Sequence, residues 1–424
     1  MSLSRSQLAG LLAPAVIVSA LGYFVDVFDA LLFGFVRIRS LHDLGLSGTA
    51  LTDAGIMLQN WQMTGMVIGG LLSGMIGDKY GRVKVLYLSI FLYSTATILN
   101  AWVQTETQYA VLRLIAGIGL AGELGAGVTL VAEILPKDKR GLGTMLVASF
   151  GLSGAIAAGF IDHLLPDWRH CYMFGGGLGI LLLVLRLSVA ESGVFKQAQA
   201  RAELRHGNVL DLFNSADRFR RFSRSVLAGS TTWFSMGVLT LLAPEFGAAK
   251  GLTLPVNPGS AIIWFHIGIV LGDIGSGVLS QFWRSRLRVM RTFLSVQALV
   301  VAWYLFGSVQ TPDQMYVLHF LLGFSGGFWA IFVTNAAEQF GTNLRATVAT
   351  AAPSLVRGLL VPIAFAFKWL KSPELTGSPL PAAGIIGLVC FVVAFWSLAG
   401  LKETFGRDLG FVEGGNISQI VEVE

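Results

Sequence analysis

The feature that most constrains this chain is a series of apolar blocks, each long enough to cross a lipid bilayer as a helix. A helix needs roughly 20 mostly apolar residues to span the hydrocarbon core. Twelve such blocks follow one another at about 12–36, 54–77, 84–103, 107–134, 142–163, 169–189, 225–247, 259–282, 292–309, 313–338, 346–370 and 382–401. This pattern predicts an all-α membrane protein with twelve transmembrane helices.

The one long polar stretch between the blocks divides them into two sets of six. We therefore predict an N-terminal six-helix bundle at 1–190, a cytoplasmic linker at 191–223, a C-terminal six-helix bundle at 224–401 and a cytoplasmic tail at 402–424. Only 13% of the residues are charged, whereas soluble proteins carry about 25%. Too few charges remain to cover a soluble surface, which argues against a soluble enzyme and against a nucleic-acid binder.

The basic residues predict the orientation of the helices. Most of the 30 Lys and Arg residues fall in the N-terminus, the tail and alternate loops when both termini are placed in the cytoplasm. The first block carries Asp26 and Asp29, and no cleavage site follows it, so we expect a retained first helix. The two cysteines are far apart and each lies inside an apolar block, which indicates neither a disulfide framework nor a metal site.

The two halves also repeat each other in sequence. The pattern A-E-x-x-P-x-x-x-R-G occupies 132–141, and A-E-x-x-G-x-x-x-R-A occupies 337–346, an offset of 205 residues (337 minus 132). A weaker echo relates Gly74 to Gly277. Internal repeats that enclose a site at their interface are typical of secondary transporters, so the two bundles are expected to be pseudo-symmetric.

The segment 74–84 reads G-x-x-x-D-K-x-G-R-x-K and lies between the second and third helices. It resembles the signature loop of the major facilitator superfamily, although a generic basic turn at the cytoplasmic surface is the simpler alternative. The resemblance implies the twelve-helix fold of that family and a cytoplasmic lock, a set of charged residues at the inner helix ends. Its predicted members are Asp78, Arg82, Glu133, Arg140, Glu338 and Arg345. The second half lacks the acid and the glycine of this loop at 280–285, so the lock is expected to be asymmetric.

The fourth block narrows the resemblance to one branch of the family. Residues 113–123 read R-x-x-x-G-x-G-x-A-G-E, and 26–29 read D-V-F-D. Both are similar to the metabolite:proton symporter branch, in which a glycine stands at the position of Ala121. The resemblance implies proton-coupled transport of a small polar metabolite, such as an organic acid, an amino acid or a betaine.

Ionisable residues inside the spans are the candidates for function, because a charge at the bilayer centre costs roughly 2.5–3.5 kcal/mol. The candidate proton-coupling residues are Asp29, Asp26, Arg113 and Glu123. The candidate substrate-binding residues are Arg113, Arg357, Asp273 and Trp329. Structural alternatives stay open for each: a permanent salt bridge between Asp29 and Arg113, a packing role for Glu123, an Arg357 paired with Asp273 or Glu338, and a lipid-facing or packing tryptophan.

The sequence thus predicts a secondary active transporter of the cytoplasmic membrane that works by alternating access. Its expected partners are a small-molecule substrate, protons and the lipid bilayer; we expect a monomer, no nucleic acid, no cofactor and no metal. Two enzyme-like patterns, G-x-G-x-x-G at 117–122 and G-x-S-x-G at 323–327, lie in mid-helix and follow no strand. The alternatives are a proton-driven exporter or uncoupled facilitator on the same fold, and a transporter-like sensor or partner subunit that moves nothing.

Overall fold

The computed structural model describes residues 14–80, 82–121, 147–190, 209–406 and 413. These residues form twelve helical elements joined by turns, and the described part of the chain contains no strand. The first half comprises α1 (Pro14–Asp43), α2 (Gly48–Tyr80), α3 (Arg82–Asn100), α4 (Glu106–Leu120, where its described part ends), α5 (Val147–Leu164) and α6 (Trp168–Ala190).

The second half repeats this plan with helices that are more often interrupted. It comprises α7 (Ala216–Thr240 and, after a bend of 66°, Ala243–Ala249), α8 (Pro258–Trp283), α9 (Arg286–Phe306), α10 (Pro312–Gly326 and Trp329–Glu338), α11 (Thr342–Gly358 and Leu360–Leu370) and α12 (Pro379–Ala399). Among the described residues, eight helices are long and apolar enough to cross a membrane, and the bent α7 is a ninth. The predicted all-α membrane fold is confirmed.

Helix α7 begins earlier than the apolar blocks indicated. It starts at Ala216, inside the polar stretch 191–223 that the sequence predicted as linker. Its first turns are amphipathic: Arg218 and Arg220 lie on the solvent side, whereas Phe222 is buried. A count of apolar residues misses such turns because arginines cover one face of the helix.

Glycines allow the closest helix packing within each half. Gly65 and Gly69 of α2 face the carbonyl oxygens of Leu114 and Ile118 on α4, so closely that a Cβ at either glycine would collide with the facing oxygen. Without a hydrophobic drive between helices in lipid, such small residues let the backbones approach.

The second half contains the same arrangement between α8 and α10. Gly268 and Gly272 face the carbonyl oxygens of Phe320 and Phe324, at an offset of 203 residues (268 minus 65) from their counterparts. Pairing of α2 with α4 and of α8 with α10 is therefore one structural repeat. The glycine patterns at 117–122 and 323–327 contribute to this packing: Gly117 lies against Gln62 and Gly323 against Phe265.

The two halves meet along two seams. Helix α2 packs on α11, where Gly358 approaches Val67, and α5 packs on α8, where Gly159 approaches Ile263. Helix α1 lies between these seams and touches α8 as well as its own half. Polar side chains on α1 are thereby brought between the halves, where a transport site is expected.

Candidate transport site

Five charged side chains are buried in the middle of the structure, away from both ends of the helices. Each is at least nine-tenths buried: Asp26 and Asp29 on α1, Arg113 on α4, Asp273 on α8 and Arg357 on α11. The sequence predicted all five as site residues. The structure shows which of them lie together.

Asp26 and Arg357 form an ion pair between the two halves. Asp26 Oδ2 lies 3.7 Å from Arg357 Nη2, and neither side chain reaches solvent to any extent. The sequence had left open a pairing of Arg357 with Asp273 or with Glu338. The ion-pair partner in the structure is Asp26, one turn along α1 from Asp29.

Asp29 and Arg113 have separate hydrogen-bond partners. The hydroxyl of Thr97 on α3 lies 2.8 Å from both carboxylate oxygens of Asp29. The Arg113 guanidinium donates to Gln62 Oε1 and lies 4.5 Å from the centre of the Phe33 ring. Arg113 acts on Asp29 through its charge, but these two described residues form no ion pair.

Asp273 caps a break in α10. The helix stops at Gly326 and restarts at Trp329. Asp273 Oδ1 accepts a hydrogen bond of 3.0 Å from the backbone N–H of Ala330, and the N–H of Trp329 is a second donor to this carboxylate. The side chain of Trp329 is 6% exposed and hydrogen-bonds to that of Tyr23 on α1, which makes a lipid-facing position untenable.

Four residues at this site were missed by sequence reasoning: Tyr23, Phe33, Gln62 and Thr97. A signal was present for three of them. Tyr23 precedes Asp26 by three residues and so shares its helix face, and Gln62 and Thr97 are polar residues in the middle of apolar spans. Phe33 carried no signal, since one aromatic residue in an apolar helix is unremarkable.

The predicted orientation places one set of helix ends on the outside of the membrane, and we call this the outer end. Ion pairs between the two halves join the helices there. The fully buried Arg37 of α1 forms a two-pronged pair with Glu245 in the short segment of α7, with distances of 2.9 and 3.2 Å. Thr52 of α2 also donates to Glu245, at 3.1 Å. The structure is therefore closed at this end.

A second pair at the outer end joins α2 to α11. Asp53 lies 3.1 Å from Lys368 and 3.5 Å from Lys371. These side chains are more exposed than those of the Arg37–Glu245 pair. We expect them to contribute less to closure, because solvent screens exposed charges.

At the opposite, inner end, Glu338 of the predicted lock pairs with a residue that the sequence did not single out. Arg286, at the start of α9, lies 2.6 and 2.8 Å from the two carboxylate oxygens. The predicted lock residue Arg345 instead donates to the carbonyl oxygen of Phe340 at 3.2 Å. Arg286 stands 204 residues after Arg82 (286 minus 82), so the repeat offset could have identified it.

The other predicted lock residues, and the predicted proton-coupling residue Glu123, lie beyond what the structure describes. Glu123, Glu133 and Arg140 fall within 122–146, and the side chains of Asp78 and Arg82 are outside the described set. Their roles remain predictions. Among the described residues, no group of three or more His, Cys, Asp or Glu side chains is placed so that it could hold a metal ion.

Glu403, just after α12, fastens the start of α9. It accepts hydrogen bonds from the Ser285 hydroxyl and from the backbone N–H groups of Arg286 (3.0 Å) and Leu287 (3.2 Å). Burial alone would raise the pKa of Glu403, but these bonds and one from the N–H of Phe405 outweigh it and lower the pKa below its usual value. The carboxylate is thus held in its charged form as a helix cap.

Comparisons with known proteins identify the family and the fold. The sequence profile of the family described as Major Facilitator Superfamily matches residues 12–365. A putative metabolite transport protein of Haemophilus influenzae is 29% identical over 351 residues, covering 78% of this chain and 83% of the relative. A gallate transporter of Pseudomonas putida is 33% identical over 306 residues, covering 70% and 66%.

Solved structures share the fold. A crystal structure of a D-xylose–proton symporter superposes with a TM-score of 0.71 at 16% sequence identity, and the match covers 93% of this chain and 99% of the symporter. At this level of identity the likeness shows the fold alone.

Proposed function

The chain belongs to the major facilitator superfamily, and from that premise we propose that it carries a small organic acid across the cytoplasmic membrane together with protons. It is a transporter of small metabolites and not an enzyme. The finer statements, namely the acid substrate, the coupled proton and an orientation with both termini in the cytoplasm, are the proposal. Transport proceeds by rocking of the two halves about the buried site.

The observation that carries the proposal is a pair of buried arginines, one in each half, neither of which has a carboxylate within hydrogen-bond distance among the described residues. Arg113 is hydrogen-bonded to the neutral side chain of Gln62, and Arg357 has Asp26 only at 3.7 Å. An arginine does not lose its proton to escape burial. A substrate carboxylate would supply the negative charge that both positions can accommodate, in the two-pronged geometry that a guanidinium favours.

Aromatic side chains accompany each arginine. Phe33 lies beneath the Arg113 guanidinium, while Tyr23, within reach of the charge of Arg357, hydrogen-bonds to Trp329. Ring faces beside a cation suit a substrate that combines a flat apolar body with an acid group. This supports ring-bearing carboxylates as the substrate class.

The substrates named for the relatives also support ring-bearing carboxylates as the substrate class. Relatives from Acinetobacter baylyi, Pseudomonas aeruginosa and Corynebacterium glutamicum are transporters of niacin, 4-hydroxybenzoate and gentisate, at 27%, 29% and 25% identity. Others move sialic acid or, as a probable function, 4-methylmuconolactone. The common feature is a small ring-bearing acid or its lactone, and we propose that class for this chain.

Proton coupling follows from competition at Arg357. A substrate carboxylate that binds this arginine displaces Asp26, and an isolated carboxylate buried away from water is costly. A proton taken up by Asp26 removes that cost, so that substrate and proton enter together. Asp29, held by Thr97 and within the field of Arg113, is the second acid proposed to take part.

The lock at the inner end is proposed by analogy between the halves. Arg286 and Glu338 are paired in the second half, and the repeat relates them to Arg82 and Glu133 in the first. We propose that Asp78, Arg140 and Arg345 add to this lock at the same membrane surface. The pairs Arg286–Glu338 and Arg82–Glu133 would hold the inner helix ends together within each half, whereas release of the outer pairs between the halves would open the outer end.

Uptake by purified protein in liposomes tests the proposal. Radiolabelled 4-hydroxybenzoate, nicotinate and gallate are supplied with and without an imposed gradient, alkaline inside, and protein-free liposomes serve as the control. We expect accumulation above equilibrium for at least one acid, only while the gradient lasts, and its collapse on addition of a protonophore.

The alternatives give different results. Exchange that ignores the gradient would identify an uncoupled facilitator, and flux driven only by a reversed gradient would identify an exporter. The absence of uptake and of counterflow with every acid would favour the sensor or partner-subunit alternative and overturn the proposal.

A further inference from the structure

Helix α10 is interrupted at Gly327 and Phe328, here called the α10 break. Backbone groups at this break face the buried charges of the site. Phe328 leaves the helical conformation, with φ −127° and ψ 24°, and Trp329 begins a new segment of ten residues. Gly327 packs directly on Gly272 of α8. This contact brings the neighbouring Asp273 to the start of the new segment.

The first N–H groups of a helix segment have no partner within the helix and carry the positive end of its dipole. Inside a membrane such groups need an acceptor, because no bulk water is available. Here the acceptor is Asp273, which binds the N–H groups of Trp329 and Ala330. A carboxylate of the protein thus occupies a position with the chemistry of an anion site.

Not every buried polar group at the α10 break has a hydrogen-bond partner. Asp273 Oδ2 is buried and has no hydrogen-bond donor among the described residues. Gln297 of α9 is also fully buried, its amide oxygen lacks a partner there, and its amide nitrogen is 3.0 Å from where a Cβ of Gly326 would lie. Two buried polar groups therefore converge on the break without complete hydrogen bonding.

The charged and titratable groups around the break come from several helices. Tyr23 lies within electrostatic reach of Asp26 on its own helix, of Asp273 on α8 and of Arg357 on α11. Gln297 of α9 is neutral, and His266, two turns before Asp273 on α8, is bonded to the carbonyl oxygen of Ile262. Two acids thus share this region with one arginine.

We propose that the start of the second α10 segment is a binding site for the substrate carboxylate, and that Asp273 fills this site as an internal substitute while no substrate is bound. The proposal rests on the proposed function and names how its acid group is held. A proton on Asp273 converts the carboxylate to a neutral acid. The N–H groups of Trp329 and Ala330 are then released to the incoming carboxylate.

The exchange conserves charge at the break. One proton joins Asp273 and one carboxylate replaces it, so the net charge of the site is unchanged in a region where added charge is costly. Binding of an anion at this position therefore requires one proton. At Arg357, a substrate carboxylate can replace Asp26 in the same way. The second half therefore has two positions where a substrate carboxylate can replace a carboxylate of the protein.

Substitution of Asp273 separates its charge from its capping role. Asp273→Asn and Asp273→Ser both keep an oxygen that can accept the N–H bonds, as asparagine and serine do at helix starts, but neither can ionise. Asp313→Asn, at an exposed acid in the first turn of α10, is the matched control. Unchanged size-exclusion profiles and melting temperatures establish that the variants are folded.

Binding of 4-hydroxybenzoate and nicotinate to the purified full chain is measured calorimetrically between about pH 6 and pH 8.5, well above the usual carboxylic-acid pKa of about 4, so that both probes stay ionised. The wild type and Asp313→Asn should bind more weakly as pH rises, because Asp273 regains its charge and competes. In Asp273→Asn and Asp273→Ser this decline should become less steep, with Asp26 responsible for the remainder, and affinity at alkaline pH should exceed that of the wild type by about tenfold. The neutral methyl ester of 4-hydroxybenzoate should show no such gain.

The same decline with pH in wild type and both Asp273 variants would overturn this inference while leaving the proposed function intact. An equal gain for the methyl ester would also overturn it, since the effect would then concern space and not charge. If neither probe binds to the wild type or to the variants, the inference fails together with the proposed function.

Discussion

The two ends of the molecule use ion pairs in different ways. At the outer end, Arg37–Glu245 and Asp53–Lys368 join helices of the first half to helices of the second. At the inner end, the described pair Arg286–Glu338 joins α9 and α10 of the same half. Pairs of the first kind must break when the outer end opens, whereas pairs of the second kind move with a rigid bundle.

The location of an ion pair determines whether it affects the opening of the protein or only its stability. A pair between halves biases the equilibrium between open and closed states by its full differential energy. A pair within a half contributes equally to both states and affects stability alone. Access to the site from outside should therefore depend on the outer pairs and be insensitive to Arg286–Glu338.

The largest effect is expected for Glu245→Gln. It leaves Arg37 buried without a carboxylate, and we expect the closed state to lose about 2 kcal/mol, a roughly thirtyfold shift toward opening, because Glu245 is partly hydrated and the cost stays below that of a fully buried pair. The measurement is the rate at which a membrane-impermeant thiol reagent labels Asn60→Cys, in a background without Cys171 and Cys390. Asn60 lies at the interface of α2, α7 and α11, beside Val238 and Leu360.

A labelling rate equal to that of the parent protein would show that the Arg37–Glu245 pair does not hold the outer end closed. Loss of Thr52 as a donor to Glu245 provides a graded check. Thr52→Val keeps the shape and removes one hydrogen bond, so its effect should be smaller than that of Glu245→Gln.

Glu338→Gln is the counter-test at the inner end. Removal of a largely buried partner of Arg286 should lower the free energy of unfolding by about 1–2 kcal/mol, seen as a lower melting temperature in detergent. Labelling of Asn60→Cys should stay at the parent rate. If labelling accelerates as it does in Glu245→Gln, the distinction between the two kinds of pair is wrong.

Asp53→Asn should have a weaker effect than Glu245→Gln at the same end. Asp53, Lys368 and Lys371 are partly exposed, and exposed pairs contribute about 1 kcal/mol or less. We expect about a threefold rise in labelling of Asn60→Cys, and we expect added salt to raise the parent rate toward that of the variant. A rise as large as that of Glu245→Gln would contradict the ranking by burial.

The smallest effect concerns the pH dependence of stability through Glu403. Its pKa is lower in the folded protein than in the unfolded chain, so its stabilisation is present above the unfolded value, about 4.3, and is lost as pH falls through the folded value. The melting temperature of the wild type should therefore fall more steeply on acidification than that of Glu403→Gln. Parallel curves would show that the hydrogen bonds to Ser285, Arg286 and Leu287 do not stabilise the charged form.

Much of the fold could be predicted because it depends on local length and periodicity. Apolar blocks of bilayer length predicted the helices, and a fixed offset predicted the repeat of the halves. The start and bend of α7 could not be predicted in this way, since its first turns are amphipathic and its bend follows a π-helical segment at Ser235–Thr240. Such a segment is held by side chains from other helices, among them Gln297 and Tyr304.

The charged members of the site were predictable, but their partners were not. A charged residue inside an apolar span is easily recognised in the sequence, as Asp26, Arg113 and Arg357 were. Which group it meets depends on helix rotation and on residues far away in the chain. Arg37 illustrates this: no sequence motif marks it, and its partner Glu245 stands 208 positions later.

The central claim is that substrate and proton move together, and proton movement during uptake tests it most directly. Liposomes with the purified protein and an internal pH-sensitive dye receive, on the outside, the acid that the uptake panel identifies, with no gradient imposed. The account predicts acidification of the interior in step with uptake by the wild type. For Asp29→Asn it predicts slower uptake with less acidification per substrate, because Asp26 and Asp273 still take up protons. Uptake by the wild type with no proton movement beyond that of protein-free liposomes would contradict the account.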